Sequence, residues 1–188
     1  VEHAFPCGNL ALDFVGTLRA RRSLPREMLR TPGGLDLWFV EAGVADRAPG
    51  SDPDDLAAAL VLRERIYDLV RARLEDEPGE AAAIDVLNRM AARPPVAPRL
   101  GRSGLVREAT PDQALSDVAR VAIEVLGGPD AAFLKECGRP ECTQVYLDTS
   151  RGGRREWCAM ATCGNMMKAL AHRARQRGNP PLSPSRLG

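Results

Sequence analysis

Cys137-Gly-Arg-Pro-Glu-Cys142 and Cys158-Ala-Met-Ala-Thr-Cys163 are two C-x4-C pairs of matched spacing, separated by fifteen residues. Four thiolates delivered as two pairs are what a tetrahedral zinc site requires, and each pair can come from one tight turn. The spacer is long enough for the chain to run out, reverse and return. With all four positions filled by protein, no water remains to be activated. The pattern therefore describes a metal that holds a fold together rather than a catalytic one. Two disulfides, or free thiols, are the alternative. Disulfide frameworks belong mainly to small secreted domains, and this chain is larger and opens on Val1-Glu-His-Ala-Phe-Pro6, which is no secretory leader. Cys7, far away in sequence, reads as a small buried apolar side chain.

The residues around the pairs extend this reading. In Thr143-Gln-Val-Tyr-Leu-Asp148, Val145 and Leu147 alternate against Gln144, Tyr146 and Asp148, the pattern of a short strand. Thr149 to Gly153 is a turn and Arg154-Arg-Glu-Trp157 leads back, so a β-hairpin is predicted over 143–157. Gly164 to Arg177 reads as a helix stopped by Gly178, with Met167, Leu170, Ala171 and Ala174 on one face and Lys168, His172 and Arg175 on the other. Knuckle, hairpin, then a second cysteine pair at a helix start is the order of a treble-clef-like zinc module. The free amides of that helix start favour thiolates. His172 is not needed as a ligand, since four thiolates already close the site.

This stretch resembles the CGNR zinc-finger family. The likeness is carried by the first C-x4-C pair, Leu147-Asp148, Ser150-Arg151, Gly153-Arg154-Arg155, Trp157-Cys158 and Cys163-Gly164-Asn165, and is dense over 137–173. The resemblance implies an N-terminal ABATE domain, whose opening is similar to Leu10-Ala-Leu-Asp13-Phe-Val-Gly-Thr17 here. It also implies a stress-induced transcription regulator that binds DNA. The chain departs from the family at three positions. Met166 stands where the family name has Arg, Gly152 where Asn often follows Ser-Arg, and Gly16 where the opening motif has Asn. None of these touches metal binding.

The net charge is +1 but unevenly spread. From Cys137 onward nine Lys and Arg face three Asp and Glu, whereas residues 1–136 hold seventeen against twenty-two. A zinc ion on four thiolates adds about −2 to the module, and a cationic excess survives. An acidic body with a basic end points to an anionic partner. Against this, 24 of the 26 cations are Arg, and with so much Ala, Gly and Pro this fits the codon bias of a GC-rich genome. No run approaches the ~18 apolar residues of a membrane span, so a soluble, cytoplasmic protein with reduced cysteines is expected.

The body is predicted as three or four amphipathic helices with a few short strands, which makes the fold class α+β. Residues 9–15 alternate Leu10, Leu12 and Phe14 with smaller or polar residues and read as a strand, although a first turn of helix fits nearly as well. Arg19-Ala-Arg-Arg22 reads as a solvated turn. Leu35 to Ala42 is a short helix. Leu56 to Leu74 is the strongest helix, with Arg63, Glu64, Asp68, Arg71 and Glu75 outward. Ala81–Ala92 and Gln113–Leu126 are further helices, and 98–108 forms one or two short strands about a turn. The predicted units are a body over 1–130, a zinc module over 131–180 and a loose tail over 181–188.

Catalytic signatures are missing: no glycine-rich phosphate loop, no H-E-x-x-H and no G-x-S-x-G. A non-enzymatic function is expected. Zinc would be held by Cys137, Cys142, Cys158 and Cys163. DNA phosphates would be met by Arg151, Arg154, Arg155, Lys168, Arg173 and Arg175, with Arg154 or Arg155 able instead to neutralise the zinc–thiolate cluster. The competing function is a protein-docking or dimerisation module with an apolar patch near Trp157 and Met160. A third reading is a small-molecule effector site in the body around Asn9, Asp13 and Trp38.

Overall fold

Helix starts dominate the architecture, because three of them carry proline at the first turn behind a capping side chain. In the computed structural model, which describes residues 3–177, the order is α1 (Leu10–Val15), β1 (Leu18–Arg19), β2 (Arg26–Glu27), α2 (Pro32–Glu41), α3 (Pro53–Leu74), α4 (Ala81–Ala91), β3 (Arg99–Gly101), β4 (Gly104–Val106), α5 (Pro111–Gly127), a 3-10 turn (Pro129–Phe133), β5 (Leu134–Glu136), β6 (Val145–Leu147), a π turn (Met160–Gly164) and α6 (Asn165–Gln176). The fold is α+β and mainly helical. The tail predicted at 181–188 lies outside the described residues. Among the latter, no helix is long and apolar enough to cross a membrane.

Asp52 and Asp55 form a reciprocal capping box for α3, as Thr110 and Gln113 do for α5. Helices α3, α4 and α5 pack on one another, and α1 inserts against α3 and α5. Helix α1 corrects the strand predicted at 9–15. Asn9 accepts from the Leu12 amide and caps it, and Ala11 to Val15 are buried all round. A helix enclosed on every side shows no polar stripe, so its short apolar run imitates strand alternation.

The hairpin predicted over 143–157 is also corrected. β6 pairs antiparallel with β5, which precedes the first cysteine pair: Leu134 faces Leu147, Lys135 faces Tyr146 and Glu136 faces Val145. Residues 149–157 form no strand because their backbone is committed elsewhere. The Asp148 carboxylate accepts from the amides of Ser150 (3.0 Å) and Arg155 (3.0 Å), and Gly152 and Gly153 turn the chain with φ of +80° and +60°. Gly152 needs the left-handed region, in which Asn is the next most tolerated residue. The Lys135 ammonium and Ser150 hydroxyl hold the Asp148 carboxyl well below the usual carboxylate range.

Body and zinc module share one apolar core, with Val145 and Tyr146 fully enclosed in it. The Cys7 thiol donates to Val145 O (3.0 Å) and accepts from Gln144 Nε2 (3.1 Å), and burial pushes that thiol's pKa up, keeping it a donor. Gly16 makes room for this junction, since a Cβ there would sit 2.1 Å from Gln144 Nε2. Glu136 of β5 pairs with Arg22 and with Arg71 of α3.

Two arginines expected in solvent are taken up by the fold, Arg63 buried and Arg21 partly so. Arg63, 2 % exposed, donates to both oxygens of Glu27 (2.7 Å each) and to Glu64. Arg21 of the predicted solvated turn pairs with Glu64 (3.1 Å) and stacks on Tyr67, 4.2 Å from the ring centre. The carboxylates of β2 and α3 supply the charge that such burial demands.

Candidate metal centre and cationic surface

Cys137 and Cys142 lie in the connection between β5 and β6. Cys137 N donates to Gln144 O (2.9 Å), continuing the ladder by one bond, and Cys142 N closes a turn onto Arg139 O (2.9 Å). Gly138 approaches the second half of the site so closely that a Cβ would meet Glu156 O at 3.2 Å and the Trp157 ring at 3.3 Å. Cys158 follows that segment. Cys163 sits in the π turn leading into α6, where a Cβ on Gly164 would strike Met160 Sδ at 2.4 Å.

The four sulfurs lie within 4.8 Å of one another. Cys142 to Cys158 is 3.8 Å and Cys158 to Cys163 is 3.6 Å. A tetrahedron with Zn–S of about 2.3 Å has edges of about 3.8 Å, so the cluster has the size of a tetrathiolate zinc site. All five cysteines are free, which removes the disulfide alternative. Without a cation the cluster resists a second charge. Hydrogen bonds from Cys142 and then Cys158 lower the Cys137 pKa to about 2, while the bond to Cys137 raises Cys142 to about 12 and pushes Cys158 up as well. A dication removes that conflict, and thiolate donors in this number suit zinc.

The ABATE family model, described as a putative stress-induced transcription regulator, matches residues 8–129, and the CGNR zinc-finger model matches 134–176. The chain belongs to the ABATE family. It carries a C-terminal CGNR zinc finger whose cofactor is zinc. No curated protein sequence matches it. Neither matched family is an enzyme family.

The expected DNA contacts separate into two groups. Arg155 is withdrawn from that list, because its guanidinium donates to Trp157 O (2.9 Å), Pro6 O (3.2 Å) and Cys158 O and lies 4.3 Å above the Tyr146 ring. It bolts the CGNR loop to the N-terminal segment beside the cysteine cluster. Arg151, Arg154, Lys168, Arg173 and Arg175 are exposed, and none of their side chains has a hydrogen-bond or ion-pair partner among the described residues. Arg154 shares a shallow groove of about 240 Å³ with Trp157 and Met160, which joins its turn to the start of the π turn. Helix α6 buries no residue, and Met166 and Leu170 are 45 % and 49 % exposed.

The expected effector residues do not make a pocket. Asn9 caps α1, Asp13 accepts from the Cys7 amide (2.9 Å), and Trp38 is sealed among Phe5, Phe14 and Phe39. Burial raises the Asp13 pKa. None of the three lines any of the four main cavities among the described residues. Sequence reasoning missed Arg139, whose Nη1 lies 3.9 Å from Cys163 Sγ, although its place inside the first C-x4-C pair put it beside the metal. It also missed Tyr146 as the platform for Arg155.

Proposed function

We propose that the CGNR finger of this ABATE protein binds duplex DNA through its phosphates. The local excess of cations carries this reading. In the body, Arg21, Arg63, Arg71, Arg93 and Arg99 pair with carboxylates of the same chain, and the other cations are outnumbered by acids. From 149 to 177 seven Lys and Arg face one acid, Glu156, and Arg151, Arg154, Lys168, Arg173 and Arg175 point outward from two separate elements with no side-chain partner among the described residues. Unpaired surface cations on a turn and on a helix meet a phosphate backbone from two directions. The acidic body keeps other surfaces off the DNA.

The test is duplex binding by the zinc-loaded chain across a salt series. Five phosphate contacts give a log–log slope of about −4.5, a loss of roughly 500-fold between 50 and 200 mM salt. A chain that binds no duplex at low salt refutes the reading. A second reading has its own observation, the exposed apolar run Met160, Met166 and Leu170. That run would dock a protein or a second copy of the chain, and sedimentation of the same sample distinguishes it.

A further inference from the structure

We infer that the cleft between the N-terminal segment and the metal centre is a peroxide-entry site, and that Cys142 is the sulfur oxidised there. The cleft has a volume of about 380 Å³. Ala4, Phe5 and Pro6 line one side, and Cys142, Cys158 and Cys163 line the other. Three of four metal ligands thus face one cavity. Cys142 is the half-exposed one; Cys137, Cys158 and Cys163 are buried. Two cations and one acid flank them. Arg19 lines the cleft and its side chain has no hydrogen-bond or ion-pair partner among the described residues; Arg139 reaches toward Cys163 Sγ and pairs with Glu141 (3.1 Å), which also lines the cleft.

The chemistry selects the reactant. A tetrathiolate zinc centre carries about −2 and repels anions, so the cleft is unsuited to a phosphate or carboxylate. Hydrogen peroxide is small and neutral, and a guanidinium donates to the oxygen that departs. The Cys142 thiolate attacks one peroxide oxygen and the O–O bond breaks. Hydroxide leaves and is protonated to water, and the sulfur, oxidised by two electrons, becomes a sulfenic acid. Cys158, whose sulfur is 3.8 Å away, then attacks that sulfur. The S–O bond breaks and a second hydroxide leaves as water. In sum, two thiolates, one peroxide and two protons give one disulfide and two waters. Two of the four zinc donors are consumed, and the segment bearing Cys163 and α6 loses its metal anchor. This inference rests on the metal centre and is independent of DNA binding.

The experiment treats the zinc-loaded full chain with hydrogen peroxide. It follows zinc with a chromogenic chelator and maps disulfides by mass spectrometry. The expected result is zinc release in step with a Cys142–Cys158 linked peptide, with Cys7 still reduced. Ala4→Trp, which places a ring at the mouth, slows the release several-fold and leaves zinc retention without peroxide unchanged. Arg19→Ala slows it too. Oxygen added to the exposed Met160 or Met166 while zinc stays bound overturns the inference. So does release from Ala4→Trp at the wild-type rate, or a disulfide that excludes Cys142.

Discussion

Replacing Arg154 and Arg155 one at a time with Ala tests the division of labour between neighbours. Arg155→Ala removes a guanidinium that donates to three carbonyls and covers Tyr146. The stack contributes about 1 kcal/mol at a half-buried site. The three hydrogen bonds contribute about 1 kcal/mol each, less where water replaces the donor. The loss is therefore about 3 kcal/mol, or about 6–12 °C in Tm for a chain of this size. Arg154→Ala removes an exposed cation and changes stability by less than about 0.5 kcal/mol. It makes the DNA salt slope less negative by about 0.9. Calorimetry of the zinc-loaded chain reads the first quantity and a titration in salt reads the second. If Arg155→Ala melts with the wild type, or Arg154→Ala melts as early as Arg155→Ala, the reasoning is refuted.

Arg63→Met leaves Glu27 and Glu64 facing an uncharged side chain and costs about 3 kcal/mol, the low end for a broken buried pair because both acids reach solvent; a urea midpoint measures it. Gly16→Ala displaces the Gln144 amide and costs about 2 kcal/mol, and much of that loss should vanish in a Gln144→Ala background. Burial raises the Asp13 pKa, so the folded state prefers the protonated acid, and its ionised form costs stability as pH rises above the ordinary aspartate value. Lowering the pH through that raised pKa to the ordinary aspartate value therefore stabilises the wild type relative to Asp13→Asn, read as the difference in Tm. Chelation of zinc removes amide protection from 158–176 while α3, α4, α5 and β6 keep theirs, because the hairpin is held by the shared core; hydrogen exchange by mass spectrometry checks this.

The metal centre was legible because ligand number and spacing are constraints of coordination chemistry, and four sulfurs can be counted in a sequence. Helices α3, α4 and α5 were legible because each keeps one polar face. Helix α1 was not, since burial on all sides erases periodicity. β5 was missed because it is three residues long and its partner lies beyond a metal knuckle, so nothing local marks the pairing. The fate of Arg63 depends on Glu27, thirty-six residues away, and that of Arg155 depends on the carbonyl of Pro6. Such pairings belong to the tertiary fold and leave no trace in the residues that flank them.

Helix α6 buries nothing, and among the elements it packs mainly on the π turn that holds Cys163. It is a rod fixed at one end. A twelve-residue helix is about 18 Å long, so 10° of play at the metal swings its far end by about 3 Å. That nearly equals the 3.4 Å rise between successive phosphates on one DNA strand. Such leverage suits a cation that can settle on either of two neighbouring phosphates, and it is too coarse to hold a side chain in register with a base edge. Under the proposed DNA binding, the tolerance of the anchor favours recognition of a charged, shaped rod over the reading of a fixed sequence.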